Sequence, residues 1–178
     1  MTQTRQASVA SLALKHWRRT HARSSSRRKG VRVRPATVSD ADAVATLSGQ
    51  LGYPVLSREM TKRIRSVARR KYQKLFVAEV QGKVVGWVEI FVHPSVLNWG
   101  KAEVGALVVD ESSHRKGIGT ALMHTAHAWA LSKKSRFIYL RSNIRRKDAH
   151  RFYRKTGYEV HKTQYVFKLL FNAKDQGH

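Results

Sequence analysis

The chain has 178 residues, 42% of them hydrophobic, and carries 35 Lys and Arg against 11 Asp and Glu, a formal charge of +24. This length suits one domain with a filled core, which excludes disorder throughout. The absence of cysteine excludes a disulfide framework, a thiolate nucleophile and a Cys-ligated zinc site. No apolar run approaches the roughly 18–20 residues of a membrane helix, so the expectation is a soluble, cytoplasmic protein without a membrane span and with anionic partners.

Residues 1–29 hold eight Lys and Arg and no acid, and the first acidic residue is Asp40. A short apolar stretch from Val9 to Trp17 precedes Arg18, Arg19, Arg23 and the run Ser24–Lys29. This reads as a basic, disordered extension over residues 1–30. It is open to non-specific contact with nucleic acid or membranes and, in a eukaryotic source, to organellar targeting. The remaining excess of +16 gathers at Arg58–Lys74 and Lys133–Lys155.

Val31–Arg34 alternates as a strand, and Ser39–Asp42 starts a helix of about a dozen residues ending near Gly52. A second helix opens at Ser57, with Met60, Ile64 and Val67 on one face and Lys62, Arg63, Arg69 and Arg70 on a solvated one. Leu75–Val80 and Val84–Val92 form a hairpin through Gln81–Lys83, where Gly82 supplies a positive φ. After the loop His93–Lys101, whose Trp99 is open to lining an acceptor site, Ala102–Val109 is apolar enough for a central strand buried on both faces.

Gly117–Gly119 opens a helix with Ile118, Leu122, Ala126 and Trp129 on one stripe; Trp87 and Trp129 read as core. His124 and His127 share a face, but no third ligand is in register, so exposed histidines and no metal are expected. Phe137–Leu140 predicts a strand, Asp148–Lys155 a helix stopped by Gly157, and Tyr158–Val160 and Tyr165–Leu170 short strands. The order describes an α/β (α+β) domain over 31–171, a mixed, mostly antiparallel sheet with helices on both faces, and a tail at 172–178.

The segment Val108–Thr120 joins a buried strand, a polar loop, two glycines and a helix start. Glycine permits close backbone approach, and first-turn N–H groups lack intrahelical acceptors, so with the helix dipole they form a pyrophosphate cradle. Arg115 and Lys116 would add charge-assisted contacts. Gly-x-Gly alone equally suits a tight turn, and it is neither a Rossmann fingerprint nor a P-loop.

From Ala102 to Tyr158 the chain resembles the GNAT superfamily of acetyl-CoA-dependent N-acetyltransferases. The loop His114–Gly119 is followed by Ser142-Asn143 and by Ala149-x-x-Phe152-Tyr153-x-x-x-Gly157-Tyr158, and element order extends the likeness over 31–170. The resemblance implies acetyl-CoA as co-substrate, without a metal. Its pyrophosphate would lie on His114, Arg115, Lys116, Gly117, Ile118, Gly119 and Thr120, with His114 replacing the family's usual Gln or Arg. Its pantetheine would pair with Leu107, Val108 and Val109, and Asn143 would touch it, although Asn143 and Ala149 stand six apart, further than in the shortest family loops.

The same resemblance makes Tyr153 the general acid, the other reading being plain core. Transfer to a neutral amine also needs a base. Spacing like that of the histone acetyltransferase branch puts Glu103 there, where burial against apolar strands would raise its pKa. A solvated surface carboxylate is the other reading of Glu103, and Glu89 is the next candidate base. The activity implied is direct acetyl transfer to an amine of a small molecule or protein. The alternative is a basic nucleic-acid- or ribosome-binding module on the same fold, with weak or no transfer. The acceptor and the oligomeric state are not encoded in these motifs.

Overall fold

A two-residue turn sets how the second and third strands pair where they meet. In the computed structural model, which describes residues 30–93 and 100–170, β2 (Gln73–Val80) and β3 (Lys83–His93) are joined by Gln81 and Gly82. Both have positive φ, 49° and 77°, as a two-residue type I′ hairpin requires. The basic extension, Trp99 and the C-terminal tail lie outside the described residues.

β1 (Val31–Pro35) pairs antiparallel with β2, β4 (Lys101–Val109) antiparallel with β3, and β5 (Phe137–Leu140) parallel with β4. The order is β1-β2-β3-β4-β5, the expected mixed, mostly antiparallel sheet. Along β2, Leu75 and Val77 face one side and Phe76 and Ala78 the other, the period of two that a strand imposes. Helices α1 (Ala41–Gln50) and α2 (Ser57–Ala68) cover the first side with Val44, Leu47, Met60 and Ile64. Helix α3 (Ile118–Ser132) covers the second with Ile118, Leu122, Met123 and Ala126. Each large apolar side chain so buried contributes about 1.5–3 kcal/mol. Helix α4 (Lys147–Lys155) follows β5.

Asp40 is buried where β1 passes into α1. Two nitrogens of the Arg34 guanidinium donate to it at 2.7 and 2.8 Å, and the Thr37 N–H donates at 2.8 Å. Arg34 Nε also donates to Glu79 on β2 at 3.0 Å, so one cation ties the first strand, the first helix and the sheet together.

Two expectations are corrected here. The runs Tyr158–Val160 and Tyr165–Leu170 form no strand, and Tyr165 and Phe167 are more than nine-tenths exposed. Alternating apolar residues record β-propensity, but a strand forms only where its backbone finds a ladder, and none pairs with these runs among the described residues. His127 is buried, not exposed. It falls on the α3 stripe of Met123 and Ala130, and its Nε2 lies 2.7 Å from the Tyr158 hydroxyl, which anchors the chain after α4 to α3.

The Arg34 hydrogen bonds hold the Asp40 carboxyl below its ordinary range. Its contribution is therefore complete above the unfolded value of about 3.9 and is lost as pH falls through the folded one. Asp40→Asn should cost about 1.5–3 kcal/mol at neutral pH. In urea melts from pH 7 to pH 2 the gap from wild type should close in acid.

Candidate active site

β4 was expected to be continuous and buried on both faces, and the structure departs from this at its middle. The pairing of β3 with β4 shifts register at Glu89–Ile90, against Gly105. One extra residue in β4 reverses the side to which the following side chains point. The residues packed towards α3 are Ala102 and Val104 before the bulge but Leu107 and Val109 after it. Gly105 is exposed, and a Cβ there would lie 2.4 Å from the Phe91 ring, so glycine is what allows that ring to cross the strand. β5 pairs with β4 only over Lys101–Val104. Beyond that point β4 has a free edge, among the described residues, at Leu107–Val109.

At the end of that edge the chain builds the glycine loop. Asp110 caps a short turn by accepting from Ser112 N–H at 3.0 Å. His114 Nε2 lies 2.9 Å from the Val109 carbonyl, and Lys116 Nζ donates to the Ser112 carbonyl at 3.0 Å. Arg115 and Gly117 take left-handed φ of 62° and 80°, which turns the backbone straight into α3. The N–H groups of Ile118, Gly119 and Thr120 then stand in the first helical turn without intrahelical acceptors, at the positive end of the helix dipole. Gly119 serves a different end. A Cβ there would lie 3.2 Å from the Phe152 ring, so its absence lets α4 pack against the start of α3.

That packing carries Tyr153 with it. Its ring meets Phe152 and Tyr158 edge-on at 5.4 and 6.0 Å. Burial pushes its phenol above the ordinary value against the opposing charge of Arg146. Asn143 is exposed and shapes the turn before α4: its Oδ1 accepts from Arg145 N–H at 2.9 Å, and its carbonyl accepts from Arg146 N–H at 3.0 Å. The neighbouring Ser142 Oγ is enclosed without a hydrogen-bond partner among the described residues.

A cleft of about 320 Å³ opens at the bulge, lined by Glu89, Phe91, His93, Glu103, Gly105 and Arg141. Its two carboxylates differ. Glu103 is buried, yet it accepts from the Tyr139 hydroxyl and, at 2.7 Å, from Arg141, with His93 Nε2 at 2.9 Å. Burial pushes its pKa up, but Tyr139, Arg141 and His93 together hold it below the ordinary range. This corrects the expectation that burial would raise it. Tyr139 in turn is pushed up to about 12 by burial and by its bond to Glu103. Glu89 accepts one bond, from Gln73 Nε2 at 2.7 Å, and burial pushes it above the ordinary range despite Gln73 and the Arg70 charge.

Sequence reasoning named both carboxylates but none of Gln73, His93, Tyr139 and Arg141. Strand register was the missing signal: Tyr139 sits opposite Glu103 across the β4–β5 pair, which no local motif reveals.

This sheet, opened at one strand and closed by a glycine-led helix, is an acyltransferase fold found in solved structures. The aminoglycoside N-acetyltransferase AAC(6')-Iy, in a complex with CoA, matches with a TM-score of 0.71 at 14% identity, covering 81% of this chain and 97% of that one. A Trypanosoma brucei acetyltransferase matches at 0.65 with 27% identity, covering 78% and 99%. Residues 42–158 match the Acetyltransferase (GNAT) family model, and the chain belongs to that family, as the two motifs in register implied. An uncharacterized N-acetyltransferase of Methanocaldococcus jannaschii is 32% identical over 93 residues, which are 51% of this chain and 41% of that protein. The chain therefore matches less than half the length of that relative.

The contact of Gly119 with Phe152 gives a direct test. Gly119→Ala should push the Phe152 ring aside by a few tenths of an ångström. Near-ultraviolet circular dichroism should change with it, because displacing Phe152 moves the adjoining tyrosine rings.

Proposed function

We propose that the protein is an acetyl-CoA-dependent N-acetyltransferase that moves an acetyl group directly to an amine, with Glu89 as base and Tyr153 as acid. The observation that carries this reading is the bulge at Gly105, which joins a free strand edge, a glycine-led helix start and a carboxylate of raised pKa. Acetyl-CoA fits what the residues offer. The first-turn N–H groups of Ile118, Gly119 and Thr120, with Arg115 and Lys116, suit its pyrophosphate. The edge of β4 that β5 leaves without a strand at Leu107, Val108 and Val109 suits the amides of pantetheine. His114 braces the loop through the Val109 carbonyl, and Ser142, beside Asn143, has a hydroxyl in need of a partner.

The chemistry assigns the remaining roles. As the amine nitrogen bonds to the acetyl carbon, Glu89 accepts the proton that nitrogen loses, directly or through one water. As the carbon–sulfur bond breaks, Tyr153 gives its phenolic proton to the departing thiolate, and both transfers restore neutral products. Glu89 suits the first task because burial makes it a stronger base than an ordinary carboxylate. Tyr153 suits the second because burial keeps it protonated. Glu103 is the weaker candidate for base, since both its oxygens are already engaged and its pKa is lowered. It instead holds Arg141 and His93 at one wall of the cleft and accepts from Tyr139. Family membership and this cleft do not favour the reading of the basic patches as a nucleic-acid-binding module without transfer.

Thiol release measured over a panel of amines tests the activity, and calorimetry with acetyl-CoA tests the cradle. No binding at millimolar acetyl-CoA would refute the proposal. Glu89→Gln should lower kcat/KM by about 10²–10³-fold, as loss of a general base does, and remove the acid limb of the pH profile. That limb should lie above the ordinary glutamate value of about 4.3. Tyr153→Phe should lower kcat while leaving the acetyl-CoA Kd within a few-fold. Gly117→Ala forces a Cβ into left-handed backbone at a cost of roughly 1–2 kcal/mol. Its acetyl-CoA Kd should rise about tenfold in the same titration.

A further inference from the structure

Gln73 begins β2 and is 93% buried. A buried primary amide is costly unless both its ends are bonded, and here both are. Arg70 Nη1 donates to Gln73 Oε1 at 2.8 Å, and Gln73 Nε2 donates to Glu89 Oε1 at 2.7 Å. A guanidinium only donates and an ionised carboxylate only accepts. The amide between them therefore has one orientation that satisfies both neighbours. The flipped amide would set N–H against N–H at Arg70 and oxygen against oxygen at Glu89.

We propose that Arg70 and Gln73 are positioning residues for Glu89: the exposed Arg70 orients the buried amide, and the amide holds one carboxylate oxygen so that the other is left for the acceptor amine. The inference rests on the assignment of Glu89 as base. It gives one member of the Arg58–Lys74 basic patch a task on the far side of a strand from its surface. No donor reaches Glu89 Oε2 among the described residues, which is the condition a base must meet before an amine arrives.

Glu89 is surrounded by charges on several elements. Arg70 stands behind it beyond the end of α2, through Gln73 on β2. Glu103 on β4, His93 on β3 and Arg141 after β5 line the same cleft, and the last two are already drawn to Glu103. Arg70 is thus the cation whose interaction reaches Glu89 through a hydrogen-bonded chain. Removing either link takes support from the ionised form, so the titration of Glu89 should move to higher pH.

The test follows the Glu89 side-chain carboxyl by carbon-13 NMR titration in the full chain, alongside the pH dependence of kcat/KM, in wild type, Arg70→Met, Arg70→Lys and Gln73→Leu. Arg70→Met and Gln73→Leu should raise the Glu89 midpoint, and the acid limb of the rate should rise with it. Arg70→Lys, which keeps a charged donor, should restore most of the wild-type value. Arg70 is exposed, so its variants keep the core and the experiment does not depend on Gln73→Leu folding. An unmoved Glu89 midpoint in folded Arg70→Met overturns the positioning chain. A raised midpoint with an unmoved acid limb upholds the chain and overturns the assignment of Glu89 as base.

Discussion

The site depends on one irregularity, the extra residue in β4 at Gly105. Without it β3 and β4 would stay in one register past Ile90, and Leu107 and Val109 would not face α3 as they do after the bulge. The Phe91 ring occupies the space where a side chain on Gly105 would stand, so the opening is locked by packing on one strand and by the missing Cβ on the other. From this follow the free edge at Leu107–Val109, the cleft beside it and the placing of Glu89 at its wall. The second missing Cβ, at Gly119, lets the Phe152 ring of α4 pack against the start of α3, and Tyr153 follows Phe152 on the same helix.

Glu89 and Glu103 show how one residue type is given two roles by its surroundings. Both are withdrawn from water, and burial alone would push both carboxyls up. Three donors around Glu103 reverse that push, whereas the single amide on Glu89 does not. A carboxylate saturated with donors is a strut, and one with an open oxygen and a raised pKa is equipped to take a proton. The comparison also explains why Arg141 and His93, though they line the cleft, leave Glu89 basic: their hydrogen bonds go to Glu103.

Much of this was legible in the sequence, and for identifiable reasons. The hairpin was readable because Gln81-Gly82 is a local signal for a local geometry, and α2 because Met60 and Ile64 recur at helical spacing. The glycine loop and the Phe152-Tyr153 helix pointed to the GNAT family because each motif is contiguous. The carboxylate environments were not readable, since Glu103 meets Tyr139 and Arg141, and Glu89 meets Gln73, only through strand register. His127 was misjudged because its helical stripe is apolar on either side of it, at Met123 and Ala130. Tyr165–Leu170 has the alternation of a strand, but alternation does not supply a partner.

The central claim is that the bulge readies the β4 edge and the start of α3 to receive acetyl-CoA together. Hydrogen–deuterium exchange with and without acetyl-CoA measures this residue by residue. The account predicts that the amides of Leu107–Val109 and of Ile118–Thr120 become protected in the same titration, at concentrations where thiol release is also half-saturated. Saturable transfer with unchanged exchange at both segments would contradict it.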